Sequence, residues 1–282
     1  MELQWPLVLL VLLAAVLHAS WNAVVKSSGD RFLSFTAIRA TGTFFAAGAV
    51  AFVPVPVTEA WPYLLAGVLI HNCYYVVLLQ AYRFGDLSHV YPLARGIAPL
   101  AVAVLAAIFA GETPSTGAIT GITLVCVGII SLMFTGPNLA HGGWRPLVLA
   151  IATGLFIASY TVVDGIGIRL GETALGYIVW LNLGEGIPFM CAAVVRRRTE
   201  LIPFLKDNWR RTTGAGTILV TAYGLVLYAL SQGAMAHVSA LRETSVLFAV
   251  VIGVVMLGEP LGWRRFAAAA VIVTGVVVLQ VS

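Results

Sequence analysis

HVYPLAR at residues 89–95 and HVSALR at residues 237–242 begin two similar stretches of this sequence. Each stretch continues through apolar residues to a Gly-Glu pair, at 111–112 in the first copy and at 258–259 in the second. In both copies the Gly falls sixteen positions after the Arg, although the second copy has one residue fewer between His-Val and Arg. Charged residues are rare in the core of a soluble protein. Long apolar segments that carry Arg near the start and Glu at the end therefore indicate a membrane protein.

The composition excludes an ordinary soluble domain. Of the 282 residues, 60% are apolar and 10% are charged, and the mean hydropathy is +0.97. Soluble domains carry about 25% charged residues, so most of this chain must be solvated by lipid. The small excess of 16 Lys and Arg over 12 Asp and Glu forms no single basic face, which argues against a nucleic-acid partner. The three cysteines lie in apolar runs, where packing is favoured over disulfides or metal binding.

Ten windows of about 20 mostly apolar residues are long enough to cross the hydrocarbon layer as helices. They cover residues 6–26, 32–53, 60–82, 87–111, 114–135, 145–168, 173–195, 211–233, 236–258 and 262–281. The first window follows Glu2 without a preceding Lys or Arg, so we expect a retained span and not a signal peptide. A membrane barrel would show alternating strands instead. We therefore predict an all-α integral membrane protein with ten transmembrane helices.

The repeat extends beyond the two opening stretches. Ala-Ser-Trp at 19–21 in the first span matches Ala-Ser-Tyr at 158–160 in the sixth span. We predict one five-helix repeat over residues 1–136 and a second over residues 137–282. Because five is odd, the second repeat enters the membrane inverted relative to the first. Inverted repeats occur in transporters that alternate between inward- and outward-open states.

The orientation follows from the basic residues of the connections. Those before spans 2, 4, 6, 8 and 10 hold twelve Lys and Arg, six of them within 196–211, whereas the other side holds essentially only Arg169. By the positive-inside rule, the basic connections lie in the cytoplasm and both termini lie outside. We expect a multi-pass protein of a bacterial-type inner (plasma) membrane.

The chain resembles the EamA-type carriers of the drug/metabolite transporter superfamily over its whole length. The resemblance rests on two five-span halves, on Gly-Glu-Thr-Pro at 111–114 and Gly-Glu-Pro at 258–260, and on Trp21-Asn22 and Arg39. It implies a membrane transporter, and it implies cytoplasmic termini where the loop charges predict the opposite. The segment His-Ala-Ser-Trp-Asn at 18–22 is similar to a subgroup associated with phosphonate utilisation.

Ionisable residues inside spans are functional candidates because each costs about 2.5–3.5 kcal/mol to insert. Arg39, Arg95 and Arg242 offer planar, permanently charged groups for an anion. Arg39 either faces a central cavity or forms a structural ion pair or snorkels to the interface. Gly96 and Pro99 are expected to loosen the helix after Arg95.

Arg95 and Arg242 occupy matching positions of the two repeats. In an inverted arrangement they are expected to lie toward opposite membrane faces, where they could act as alternating gates. Glu243 follows Arg242 directly and could pair with Arg95 or Arg39 across the halves.

Proton coupling requires a carboxyl group that can become neutral, and burial favours the neutral form. Glu185, between two glycines in mid-span, Asp164 and Glu243 are the candidates. The alternative for Asp164 is a pair with Arg169 near the end of the helix. Further candidates for the substrate pocket are the polar and aromatic residues Trp21, Asn22, His71, Tyr74, Tyr160 and Asn182.

Glu112 and Glu259 stand between helices, close before a proline, and we predict that each caps the helix that follows. No enzyme motif is present, so we expect no catalytic residue, cofactor or metal. The prediction is a secondary transporter of a small polar metabolite, such as an amino acid, an aminophosphonate or a similar zwitterion or anion. It would work by alternating access with proton coupling, as a monomer or homodimer. The alternatives are an exporter of cationic or aromatic compounds that uses Glu185, a lipid flippase, or a membrane enzyme that uses the intramembrane histidines.

Overall fold

The described part of the chain is helical, without a β-strand. The computed structural model describes residues 4–84, 87–135, 144–171, 173–257 and 262–282. The helices are α1 (Trp5–Lys26), α2 (Arg31–Ala49), α3 (Trp61–Phe84), α4 (Leu87–Ala110), α5 (Thr116–Ser131), α6 (Trp144–Leu170), α7 (Ala174–Glu185), α8 (Ile187–Gln232), α9 (Met235–Arg242), α10 (Ser245–Leu257) and α11 (Trp263–Gln280). Short 3₁₀ helices cover Val50–Phe52, Thr58–Ala60 and Leu132–Thr135.

Nine segments of the described residues are long and apolar enough to cross a membrane. One of them, Ala174–Gln232, has 59 residues and covers two predicted spans, 173–195 and 211–233. As one straight helix it would be about 90 Å long, roughly three times the hydrocarbon thickness. Its backbone leaves the helical region at Arg197 (φ −140°, ψ 34°), between the two predicted spans. The predicted all-α membrane fold is confirmed, and the number of ten spans is close.

The predicted connection 196–211 is helical apart from Arg197, contrary to expectation. Arg197 forms ion pairs with Glu200, three residues ahead, and with Asp30 at the start of α2, where Nη1 and Oδ2 are 2.6 Å apart. Long charged side chains are good helix formers, so the charges that mark an aqueous connection do not end the helix there.

The packing of the helices repeats when the two halves are exchanged. Helix α1 packs against α8, and their counterparts in the other half, α6 and α3, also pack against each other. Helix α4 packs against α6, and their counterparts, α9 with α10 and α1, do the same. Helices α5 and α11, the last of each half, pack against each other. Their backbones approach closely: a Cβ on Gly121 would lie 2.6 Å from the amide N of Leu279, and one on Gly275 would lie 2.7 Å from that of Val125. Glycine is required at this contact because a side chain would force the helices apart.

Glu112 does not cap the helix that follows it. Ser115 caps α5, because its hydroxyl accepts from the amide of Ala118 at 3.0 Å. Glu112 instead reaches α9 in the other half, where its Oε2 accepts from the amide of Met235 at 2.8 Å. The predicted capping role is therefore found at a different helix. Glu259 lies outside the described residues.

One predicted span is interrupted in its buried part. The window 236–258 contains α9, which ends at Arg242, and α10, which begins at Ser245. Glu243 and Thr244, between the two helices, are buried. Irregular backbone at membrane depth is tolerated only where protein or a cavity surrounds it. Helix α4, expected to loosen after Arg95, is continuous through Pro99, and Gly96 instead packs against α5, where a Cβ would meet Ile130 at 2.6 Å.

Candidate functional site

The six charged residues predicted for the site are all buried. Their exposed fractions are between 0% and 3%, for Arg39, Arg95, Asp164, Glu185, Arg242 and Glu243. Three positive and three negative side chains therefore lie inside the helix bundle. The first half supplies two of the arginines, and the second half supplies all three carboxylates and Arg242.

Arg39 and Glu185 form an ion pair between α2 and α7. The contact excludes snorkelling for Arg39, whose side chain is 2% exposed. Gly186 permits the approach, because a Cβ at this position would lie 2.3 Å from Thr43 Oγ1 and 2.9 Å from the carbonyl oxygen of Arg39. The pair joins the first half to the second.

His71 lies between two carboxylates. Its Nε2 is 2.9 Å from Oδ2 of Asp164, and its Nδ1 is 3.1 Å from Oε1 of Glu185. The ring stacks on Tyr160, with 4.0 Å between ring centres and 23° between planes. The imidazole of the first half is thus held by three residues of the second half.

Asp164 does not pair with Arg169. Its Oδ1 accepts a hydrogen bond from the Tyr177 hydroxyl at 3.1 Å, and its Oδ2 accepts one from the Tyr223 hydroxyl at 2.6 Å. Gly67 on α3 makes room for this carboxylate, since a Cβ there would lie 2.3 Å from Oδ1. The alternative pair failed because Arg169 binds Glu112 instead, with 2.6 Å between Nη1 and Oε1.

A second group of charges surrounds the interruption between α9 and α10. Arg95 Nε is 2.7 Å from Oε2 of Glu243, and Arg95 Nη2 donates to the Ser245 hydroxyl at 2.9 Å. Arg242 Nη2 is 3.6 Å from Oε1 of the same carboxylate. The predicted placement of the two arginines toward opposite faces is therefore wrong. Because α4 packs against α9, both arginines reach Glu243.

Arg242 has a longer contact to a carboxylate than Arg39 or Arg95, with 3.6 Å between its Nη2 and Oε1 of Glu243. Its Nε and Nη2 have no hydrogen-bond partner within the described part of the chain, although the residue is 3% exposed. Its guanidinium carbon lies 5.8 Å from the centre of the Tyr160 ring, a cation–π distance. Tyr160 therefore contacts both Arg242 and His71.

A small cavity of about 40 Å³ separates the two halves at this depth. Its walls include Trp21, Arg39, His71, Tyr74, Tyr160 and Arg242. Pockets that bind metabolite-sized ligands measure about 300–1,000 Å³. This conformation is therefore closed around its centre, with both halves contributing to the wall.

The two asparagines predicted for the substrate pocket do not line this cavity. The Asn22 amide donates to the carbonyl oxygen of His18 at 2.8 Å. The side-chain amide of Asn182 donates to the carbonyl oxygen of Ile178 at 2.9 Å. The backbone carbonyl oxygen of Asn182 accepts from the Thr43 hydroxyl at 3.0 Å. Both side chains bond one turn back on their own helix, which holds them in the helix packing.

Two side chains of the cluster, Tyr177 and Ser245, were missed as site residues. Tyr177 binds Asp164, as Tyr223 does, and Ser245 binds Arg95. The sequence held a signal for Ser245, since Glu-Thr-Ser at 243–245 is a polar run inside an apolar span. It held none for Tyr177, because aromatic residues are also frequent as interface anchors.

A larger cavity of about 420 Å³ lies near Glu112, Arg169 and His237. The Arg169 guanidinium closes one wall by donating to the carbonyl oxygens of Leu230 at 2.9 Å and Gly233 at 2.6 Å. The C-terminal Ser282 contacts Ser115 beside this cavity, at 3.5 Å. The cavity therefore opens at the end of the bundle opposite the predicted cytoplasmic connections.

The comparisons with known proteins agree with this architecture. The model of the EamA-like transporter family matches residues 5–134 and again residues 144–281. One solved crystal structure superposes with a TM-score of 0.80 at 16% sequence identity, over 98% of this chain and 97% of the other. At that identity the likeness shows the fold alone. No curated protein matches the sequence.

Proposed function

Because this chain belongs to the EamA-like transporter family, and so is a membrane transporter of the drug/metabolite transporter superfamily, we propose that it carries a small anionic or zwitterionic metabolite. Fold alone does not name a substrate, so the proposal depends on the site. The single observation that carries it is the position of Arg242 in the wall of the central cavity.

Arg242 is the arginine best able to accept an external anion. Arg39 has Glu185 as its own carboxylate, and Arg95 has Glu243 and Ser245. Arg242 shares Glu243 at 3.6 Å and lines the cavity, and its Nε and Nη2 lack hydrogen-bond partners among the described residues. A buried donor without a partner costs about 1–3 kcal/mol. A carboxylate or phosphonate group would satisfy the fork of the guanidinium with two parallel hydrogen bonds.

The same cavity suits a positive group a short distance from the anion. Glu185 and Asp164 lie behind Arg39 and His71, and the rings of Trp21, Tyr74 and Tyr160 form the rest of the wall. An aromatic wall attracts an ammonium group through cation–π contacts. Amino acids and aminophosphonates carry both charges a short distance apart, which supports a zwitterion as substrate.

Transport by this site would proceed by alternating access. The ion pairs of the site join residues of opposite halves, as Arg39–Glu185 and Arg95–Glu243 do. The cavity is closed in this conformation, so a substrate enters only when one half moves relative to the other. Asp164, Glu185 and Glu243 are the carboxylates to which we assign the coupled proton.

The experiment is a binding and uptake assay on the purified protein. Amino acids, aminophosphonates and simple carboxylates are tested by calorimetry in detergent and by uptake into proteoliposomes. Replacing Arg242 by Gln is expected to weaken binding of the active compound at least tenfold, since a charge-assisted hydrogen bond is lost. Arg210→Gln is the matched control, because Arg210 is exposed, next to Trp209, outside the site.

Equal binding by wild type and Arg242→Gln would contradict the proposal. The second candidate is an exporter of cationic or aromatic compounds, which the aromatic wall of the cavity favours. In that case the Arg242→Gln variant still transports a cationic compound, and the Glu185→Gln variant does not. A lipid flippase would move fluorescent phospholipid between the leaflets of the same vesicles.

A further inference from the structure

We propose that the transported proton is bound by the cluster of His71, Asp164 and Glu185, in which the imidazole bridges the two carboxylates. The inference rests on the proposed function and identifies where its proton is bound. The proton is shared by three side chains, of which the imidazole is the centre, and it crosses the contact between the two halves.

Among the described residues, the three buried arginines and three buried carboxylates of the site balance in number, but no arginine is placed beside Asp164. Glu185 has Arg39 as its partner, and Glu243 has Arg95 and Arg242. Asp164 has no arginine or lysine partner in the described part of the chain; its partners are His71 and the hydroxyls of Tyr177 and Tyr223. An uncompensated carboxylate buried at membrane depth is costly. A proton on the cluster removes that cost.

The geometry of the imidazole points to the same conclusion. A neutral imidazole has one N–H donor and one bare nitrogen, whereas an ionised carboxylate only accepts. His71 has a carboxylate oxygen close to each nitrogen, at 2.9 Å from Nε2 and 3.1 Å from Nδ1. The Tyr223 hydroxyl oxygen also lies 3.2 Å from His71 Nε2, but its one proton is donated to Asp164 at 2.6 Å. Either His71 is an imidazolium or one of the two carboxyl groups is protonated.

The groups that face His71 come from every helix packed around it. They are Arg39 on α2, Tyr75 on α3 itself, Tyr160 and Asp164 on α6, Glu185 on α7, Tyr223 on α8 and, beyond Tyr160, Arg242 on α9. Interacting groups of this kind titrate as a unit, and the proton belongs to the cluster. Among the described residues, the cations near enough to oppose protonation are Arg39, which Glu185 neutralises, and Arg242.

The charge count connects the proton to the anion. Without the proton, the three arginines and three carboxylates of the site balance. With the proton, one positive charge is left over, and Arg242 is the arginine that faces the cavity. An anion then restores neutrality. One proton therefore accompanies each net negative charge of the substrate, and both leave together when the two halves separate and the His71 bridge breaks.

The first test detects the proton directly, without substrate. Nitrogen-15 resonances of histidine-labelled protein and the infrared band of carboxylic acids are recorded at neutral pH for wild type and His71→Gln. We expect either an imidazolium resonance or a carboxylic acid band that the His71→Gln substitution removes. His18→Gln is the control, since His18 lines the same cavity but contacts Trp21 and no carboxylate in the described residues. A neutral His71 imidazole, together with no carboxylic acid band that responds to His71→Gln, would overturn the inference.

The second test separates the proton from the substrate. Proteoliposomes of His71→Gln are expected to lose the increase in uptake that an inward proton gradient produces in wild type. Stimulation equal to that of wild type would overturn the inference. If wild type shows no such signature but binds the anion through Arg242, the proposed function stands and the role of His71 in holding the proton is excluded. If wild type shows the signature but Arg242→Gln binds the anion as well as wild type does, the proton site stands and the proposed function is contradicted.

Discussion

Arg95 contacts Glu243 with 2.7 Å between Nε and Oε2, although Arg242 is the sequence neighbour of Glu243 and lies 3.6 Å away. The closer partner comes from the other half of the chain. The same is true of Arg39 with Glu185 and of Glu112 with Arg169. The charges that are expensive to bury are therefore used to hold the two repeats to each other.

Replacing Arg95 by Gln is expected to destabilise the protein by up to about 3–5 kcal/mol, because the buried Glu243 loses its nearer partner and keeps only Arg242, 3.6 Å away. The free energy of unfolding is measured in mixed micelles with increasing SDS. The double variant Arg95→Gln with Glu243→Gln is expected to recover part of the loss, since Arg242 then lacks Glu243. Glu200→Gln is the control and should leave the unfolding midpoint unchanged, as its pair with Arg197 is exposed. Additive effects of the two buried substitutions would contradict this prediction.

Replacing Glu112 by Gln is expected to open the larger cavity. Glu112 holds both Arg169 and the amide of Met235 at the start of α9, which has no side-chain cap of its own. Loss of a cap costs about 0.5–2 kcal/mol. A cysteine introduced at Ser231, in the wall of that cavity, should be labelled faster by a polar thiol reagent when Glu112 is replaced. The three native cysteines are removed first, and an unchanged labelling rate would argue against closure by Glu112.

Replacing Gly121 by Ala is expected to cost about 1–3 kcal/mol, since an added methyl group overpacks a tight contact. The Cβ would lie 2.6 Å from the Leu279 amide nitrogen and 2.8 Å from the Gly275 carbonyl oxygen. Gly48→Ala is the matched control, because nothing lies within 4 Å of its Cβ position in α2. Alanine there should be neutral or stabilise by about 0.5–1 kcal/mol. Equal unfolding free energies for the two variants would show that α5 and α11 are not in backbone contact.

Replacing Gly67 by Ala is expected to displace Asp164, because the new Cβ would lie 2.3 Å from Oδ1. We expect proton-driven uptake to fall at least tenfold while substrate exchange at Arg242 continues, since the substitution touches the carboxylate and not the guanidinium. Uptake with and without a proton gradient measures the ratio. A ratio equal to that of wild type would mean that Asp164 is outside the coupling path.

The orientation of the chain is testable by fusions. The basic connections predict both termini outside, so a C-terminal alkaline phosphatase should be active and a C-terminal fluorescent protein dark. Removing charges tests whether the basic connections set the orientation. Replacing the six basic residues of 196–211 by Gln removes half of the twelve Lys and Arg on the predicted cytoplasmic side. Fluorescence from the unmodified C-terminal fusion would establish the cytoplasmic termini that the family resemblance implies.

Several features could be predicted from the sequence because they are local. The helical spans, the two-repeat architecture and the EamA-type family are confirmed, and the phosphonate-associated subgroup and the boundary at 136 and 137 stay predictions. The buried charges Arg39, Asp164 and Glu185 were identified as candidates because ionisable residues stand out in an apolar run. Their proposed roles stay predictions, and their positions in one cluster are a structural finding.

The sequence alone determined that lipid is the solvent, that helices span it and that they come in two related sets, since composition and segment length are properties of single stretches. Only the tertiary structure decided the partners. Arg95 and Glu243 are far apart along the chain. Asp164 contacts His71 and Tyr223, whereas the sequence had offered Arg169 as its alternative partner. Each pairing depends on which helix faces meet when the two halves pack, and hydropathy does not encode that. The two repeated stretches predicted two arginines at opposite faces; their packing brought both to a single carboxylate, Glu243.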